Sequence, residues 1–198
     1  MKLVLATQNP KKLKEMNEIL RHLGVEVVSE AELGVRIEVE ETGETFTDNA
    51  RLKATAVMQA TGLPAVADDS GLCVDALNGG PGVYSARFGG EGLDDKGRYT
   101  LLLEMLRGQT DRAAHFHTSI VCAFPNGDEL VCEGECPGTI AFAPMGEGGF
   151  GYDPVFFVPE LRKTFGQLTA EEKASVSHRG KALRAFAAAL DEYLKGNE

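Results

Sequence analysis

Two adjacent carboxylates, Asp68 and Asp69, stand where the apolar run "PAVA" gives way to "DDSG". That spacing predicts a carboxylate pair at the end of a buried strand, the place where open α/β sheets put their ligands. Successive strand residues point to opposite faces, so the two need not share a task. One can hold a divalent cation while the other lies beside it or caps the turn. "EVEETG" offers Glu40 and Glu41 as partners. Magnesium suits so sparse a set, because it takes one or two carboxylates and completes its shell with phosphate oxygens and water. A lone "DDSG" is also an ordinary turn stabilised by Asp and Ser, so the pair acquires meaning only in company.

The company is cationic and aromatic. "TQNPKK" sets Thr7, Gln8, Asn9, Lys11 and Lys12 at a strand-to-helix turn, where unpaired backbone N–H groups and the helix dipole favour an anion. Lysines in a first helical turn oppose that dipole, and a bound phosphate would give them a reason to be there. A second basic group gathers at Lys173, His178 and Arg179, the last a planar fork suited to phosphate or to a carbonyl-bearing base. In "GGFGYDP", Phe150 and Tyr152 are aromatic rings that could stack on a flat base, and Asp153 is an acceptor. His115 and His117 share a strand face at a spacing that metal sites use, but with no evident third ligand they read as a polar sheet face.

The elements that must position these residues alternate. "KLVLA" reads as a strand, and the helix after it carries Leu13, Met16, Ile19, Leu20 and Leu23 on one face, capped by Asn9, opened by Pro10 and stopped by Gly24. "VEVVS" is a second strand. "TFTDNARLKATAVMQATG" is a second helix, capped near Thr45 or Thr47 and ended by Gly62, and a strand returns at residues 64–67. A glycine-rich loop at 78–92 and a helix over about 94–107 follow. "AAHFHTSIVCAF" alternates strictly, with Ala114, Phe116, Thr118, Ile120, Cys122 and Phe124 on one face, and "PNGD" marks a hairpin before "ELVCEGEC". "VFFVP" is a further strand, and a last helix, capped by Ser177, carries Leu183, Phe186, Ala187, Leu190 and Leu194. The sum is an α/β protein, either one domain or two lobes woven together, with no clean linker.

Of 198 residues, 43% are hydrophobic and the net charge is −10. That charge disfavours nucleic acid or a membrane surface as a partner and leaves a small anion, met by locally gathered bases. The four cysteines, at 73, 122, 132 and 136, lack the spacing of a zinc site and the density of a disulfide scaffold, and read as reduced thiols. Neither a membrane span nor a signal-peptide core is present, which places the chain in the cytoplasm.

In this order, "TQNPKKLKE", "EETGETFTDNARLKA", "ADDSGL", "GGPGVYSARF", "GGFGYDPVFFVP" and "LTAEEKASVSHRGKAL" strongly resemble the inosine triphosphate pyrophosphatase family, also called Ham1-like. The resemblance runs from Lys2 to about Leu190, departing at Gln8, where the family commonly has a small residue or His. It implies two lobes around a mixed, strongly twisted sheet with the active site in the cleft between them, forming one domain and assembling as a homodimer. It also implies magnesium-dependent hydrolysis of ITP, dITP and XTP to the monophosphate and pyrophosphate. Carried over, residues Thr7, Gln8, Asn9, Pro10, Lys11 and Lys12 hold the triphosphate, Asp69 is general base and metal ligand, and Ser70 contacts substrate. One glutamate of "EETG", Glu40 in preference to Glu41, shares the metal. Phe150, Gly151, Tyr152, Asp153, Lys173, His178 and Arg179 hold the nucleotide, chiefly its base. Two other readings compete: a Maf-like pyrophosphatase of modified pyrimidines, against which "SHR" argues, and a module that binds purine nucleotides without cleaving them.

Overall fold

The structure, a computed structural model, describes residues 1–7, 9–90 and 92–196; Gln8 lies outside them. Along the chain come β1 (Lys2–Leu5), α1 (Pro10–Leu20), β2 (Glu26–Ser29), α2 (Phe46–Thr61), β3 (Ala65–Val74) and α3 (Asp95–Met105). Then follow β4 (Ala113–Ala123), β5 (Glu129–Ile140), β6 (Phe156–Val158), β7 (Lys163–Thr164), α4 (Ala170–Val176) and α5 (His178–Gly196). Among the described residues these strands make one mixed sheet, ordered β2-β1-β3-β4-β5-β6-β7. β1 pairs in parallel with both β2 and β3, while β6 runs antiparallel to β5 and β7. Parallel neighbours need a helical crossover, which α1 and α2 supply.

Local chemistry fixes where the first helices begin and end. Asn9 caps α1 by accepting the Lys11 N–H, Pro10 takes the first helical position, and Gly24 closes the following 3₁₀ turn at φ +66°. Thr45, not Thr47, caps α2, in a reciprocal box with Asp48, and Gly62 ends it at φ +67°. The hairpin between β4 and β5 turns at Gly127, φ +93°, whose N–H reaches Phe124 O.

The chain divides into two compact units that share it discontinuously. The first comprises Met1–Asp69, Thr118–Gly134 and Lys181–Glu198; the second comprises Ser70–His117 and Glu135–Gly180. In the first unit the sheet is buried on both faces. Leu3, Leu5, Val66, Ile120 and Cys122 pack against Met16 and Leu20 of α1 and Leu183 and Phe186 of α5. On the other side Ala67, Val121 and Ala123 meet Ala50 and Ala54 of α2, while Val4, Val28 and Ala65 meet Val57. In the second unit the core is Leu72, Leu102, Phe116, Phe156, Phe165 and their neighbours, with Phe116 edge-on to Phe156 and parallel to Phe165.

Three sequence expectations need correction. β3 does not stop at Ala67 but runs through "DDSG" to Val74, because both aspartates find partners on flanking helices and no turn is needed to satisfy them. β4 alternates only in its first half; from Thr118 onward every residue is buried, since helices cover both faces there. A short helix, α4, precedes the last one, capped by Thr169 in a box with Glu172.

The Thr45 cap yields a test. Thr45→Ala strips one N–H acceptor from α2 and is expected to lower stability by about 1 kcal/mol. Urea unfolding that shows no loss would mean the box contributes nothing.

Candidate active site

In the first unit, the period of β3 separates the two aspartates. Asp68 shares the face of Val66 and meets α1, whereas Asp69 shares the face of Ala65 and Ala67 and meets α2. Asp68 is buried, and its Oδ2 accepts from Lys12 Nζ at 2.7 Å. Lys12, expected to face a phosphate, thus has a resident carboxylate that anchors it at the first turn of α1. Before that turn, the Asn9 N–H reaches Thr7 Oγ1 at 3.2 Å. Lys11 and Pro10 are exposed beside them. A cavity of 340 Å³ opens here, bounded by Thr7, Asn9 and Pro10 and by Ser29, Glu30 and Arg36.

On the α2 face, Asp69 Oδ2 accepts from Asn49 Nδ2 at 3.2 Å and Oδ1 lies 3.8 Å from Lys53 Nζ. The same Lys53 ammonium donates to Glu41 Oε1 at 2.7 Å. Glu41, rather than the preferred Glu40, is therefore the glutamate brought to Asp69's neighbourhood; Glu40 is exposed one residue away. Glu40 O accepts the Thr42 N–H at 3.1 Å, so Glu41 stands at the centre of a tight turn. Glu41 and Asp69 already converge on one cation, the donor chemistry a divalent ion needs.

In the second unit, the loop before β6 is held by its own carboxylate. Asp153 is buried; its Oδ2 accepts the Phe150 N–H at 2.9 Å and Lys173 Nζ at 2.5 Å. Gly149, at φ +77°, passes so close that an added Cβ would lie 1.9 Å from that oxygen. Lys173 Nζ also sits 4.7 Å from the Phe150 ring centroid and 5.2 Å from that of Phe165. His178 stacks on Phe116 at 4.7 Å and 14°, which fixes its ring plane. Arg179 is half-buried next to it, and Ser177 Oγ accepts the Gly180 N–H at the start of α5, as the sequence suggested. Ser70 is exposed on β3.

Tyr152 requires a correction: it offers no ring to a ligand. It is buried, and its hydroxyl donates to Ser85 O at 2.7 Å, with burial pushing its pKa up to about 12. Phe150, 76% exposed, is the platform of the pair. The Gly151 N–H is engaged by Asp95 Oδ2 at 2.7 Å. Of the two histidines on β4, His117 meets Glu135 at 3.0 Å.

Sequence reasoning missed Asn49 and Lys53. Their signal was present: residues i and i+4 on a helix share a face, and Asn49 falls among the core positions Phe46, Ala50, Ala54 and Val57. Phe165 was not singled out, and Phe116 was read only as part of one face of a strand.

The fold and these groups define an α/β protein with two sets of charged and aromatic side chains: an acid–lysine set, and an aromatic–lysine–histidine set. Comparison with known proteins narrows this. The Ham1 family model matches residues 3–189, and the chain belongs to that family. It is 50% identical over 196 residues to a dITP/XTP pyrophosphatase of an Exiguobacterium species, covering 99% of this chain and 100% of that one. To a dITP/XTP pyrophosphatase of Thermus thermophilus it is 53% identical, covering 99% and 93%. A HAM1 protein from Coxiella burnetii has a solved structure that superposes with a TM-score of 0.93 at 44% identity, covering 97% of this chain and 99% of that one. Among the described residues, no helix is long and apolar enough to cross a membrane.

The Asp153 clamp carries a pH signature. Burial pushes its carboxyl above the usual range, and Lys173 with the Phe150 N–H pulls it back only in part. The folded chain then holds that proton more tightly than the unfolded chain, so stability drains away as pH rises above about 4. Asp153→Asn lacks this titration. Its melting temperature relative to wild type should climb as pH rises from about 4; a flat difference across thermal melts would contradict the assignment.

Proposed function

We propose that this chain hydrolyses deaminated purine nucleoside triphosphates, ITP, dITP and XTP, to the monophosphate and pyrophosphate, with magnesium, in the cytoplasmic nucleotide pool. The observation that carries the reading is the Asp69 set: a carboxylate on a sheet face, oriented by a buried amide and flanked by a lysine and a second carboxylate. Support comes also from relatives named dITP/XTP pyrophosphatase at about half identity over nearly the whole chain.

In this reading Asp69 accepts the proton of the water that attacks the α-phosphorus. Lys12 and the N–H groups at the start of α1 take the phosphates, with Thr7, Asn9 and Lys11 lining the turn. Glu41 and Asp69 are the carboxylates that would hold magnesium, which when bound supplies positive charge to the phosphates and the departing pyrophosphate. Lys53 holds the two carboxylates together and offsets one of their two charges until then. Phe150 stacks on the base. His178 and Arg179 donate to the 6-oxo group, whereas a 6-amino group would face them with another donor. The homodimer carried by the family resemblance belongs to this proposal, and light scattering tests it.

The decisive assay measures pyrophosphate and orthophosphate from ITP, XTP, dITP, ATP, GTP and UTP in parallel. Pyrophosphate from the first three is expected, abolished by a chelator and restored by magnesium. Turnover of UTP instead, or orthophosphate as product, would overturn the reading. Asp69→Asn should lower kcat by at least ~100-fold, the size of a lost general base; an unaffected rate would remove Asp69 from the chemistry.

A further inference from the structure

Asn49 is wholly buried, yet both ends of its amide reach outside the core it sits in. Oδ1 accepts the Gly43 N–H at 2.8 Å, and Nδ2 donates to Asp69 Oδ2 at 3.2 Å. The orientation is forced: a backbone N–H can only donate, so the amide oxygen must face Gly43 and the NH₂ must face the carboxylate. Gly43 follows Glu41 by two residues and is pressed onto the first turn of α2. A Cβ there would lie 2.6 Å from Asp48 Cβ and 2.7 Å from Asn49 Oδ1. The capping box of Thr45 and Asp48 stiffens that same turn.

We infer that Asn49 is a positioning residue that sets Asp69 and the Glu41 loop in register with one another from a single rigid point on α2. The inference rests on the reading of Asp69 as the base. Asn49 itself makes no claim on the nucleotide. Its donor fixes Oδ2 of Asp69, so that the carboxylate's two oxygens are distinguished, the other facing Lys53. Its acceptor fixes the backbone that carries Glu41. Loss of this one side chain therefore blurs two parts of the site at once, although neither is bonded to the other through the chain.

Two variants separate the arms. Asn49→Asp keeps an oxygen for the Gly43 N–H but turns an acceptor toward Asp69; Asn49→Ala removes both bonds. Both should lose about 10–100-fold in kcat, the usual effect of an outer partner, with KM for ITP changed by less than about threefold. Hydrogen exchange on the metal-free, nucleotide-free protein should find the Gly43 amide protected in Asn49→Asp and unprotected in Asn49→Ala. A wild-type kcat in either variant, or a protected Gly43 in Asn49→Ala, overturns the inference. Should the buried carboxylate prevent folding, Gly43→Ala disturbs the same contact from the loop side. Its loss in kcat should not add to that of Asn49→Ala, and additive losses would overturn the shared-contact argument. Asp69→Asn distinguishes the two failures: if it retains the full rate the base reading fails and takes this inference with it. If it is inactive while the Asn49 variants are unimpaired, only the inference fails.

Discussion

A β-strand cannot put neighbouring side chains on one side of a sheet, and at Asp68 and Asp69 that constraint divides a carboxylate pair between two helices. It holds only because β3 continues as a strand past Ala67. The face of Val66 is covered by α1, which answers Asp68 with Lys12; the face of Ala67 is covered by α2, which answers Asp69 with Asn49 and Lys53. Parallel pairing of β1 with β3 places the end of β1, and hence the start of α1, beside this point. The turn before α1 and the acidic residues are thereby brought together by sheet register, without any long-range sequence signal.

The strength of each pairing matches its task. Asp68 and Asp153 have side chains 4% and 3% exposed and lysine partners at 2.7 and 2.5 Å. Removing one partner of such a buried pair costs several kcal/mol, so these two are fixtures that hold a helix start and a loop. Asp69 is 15% exposed, with Asn49 at 3.2 Å and Lys53 at 3.8 Å among its neighbours. A group proposed to meet a water and a phosphate cannot be locked as tightly as the others. The looser of the three carboxylates is the one assigned the proton transfer.

Much of the fold was legible because its signals are local. Asn9, Pro10, Thr45 and Gly62 announce helix ends through chemistry within four residues, and the apolar periods announce the faces. What was not legible depends on partners far along the chain. "DDSG" carries turn chemistry, and only Lys12, 56 residues away, and Asn49, 20 residues away, explain why it stays extended. Phe150 and Tyr152 are alike as sequence. A carbonyl at Ser85 draws the phenol into the core and leaves the phenyl ring outside, a choice decided 67 residues away. Glu40 and Glu41 likewise differ only by which one turns toward Lys53.

An acidic chain proposed to bind a polyanion must solve a problem of charge. Its answer within each unit is to keep lysines already paired: Lys12 with Asp68, Lys53 with Glu41, and Lys173 with Asp153. Pairing holds each ammonium in one place, so little reorganisation is needed on binding, which is the condition under which fixed charges help a transition state most. In the first unit it also offsets the charges of Lys12 and Lys53 at rest. The carboxylates thus hold the lysines in place, and the net charge of −10 is compatible with the small anion proposed as ligand.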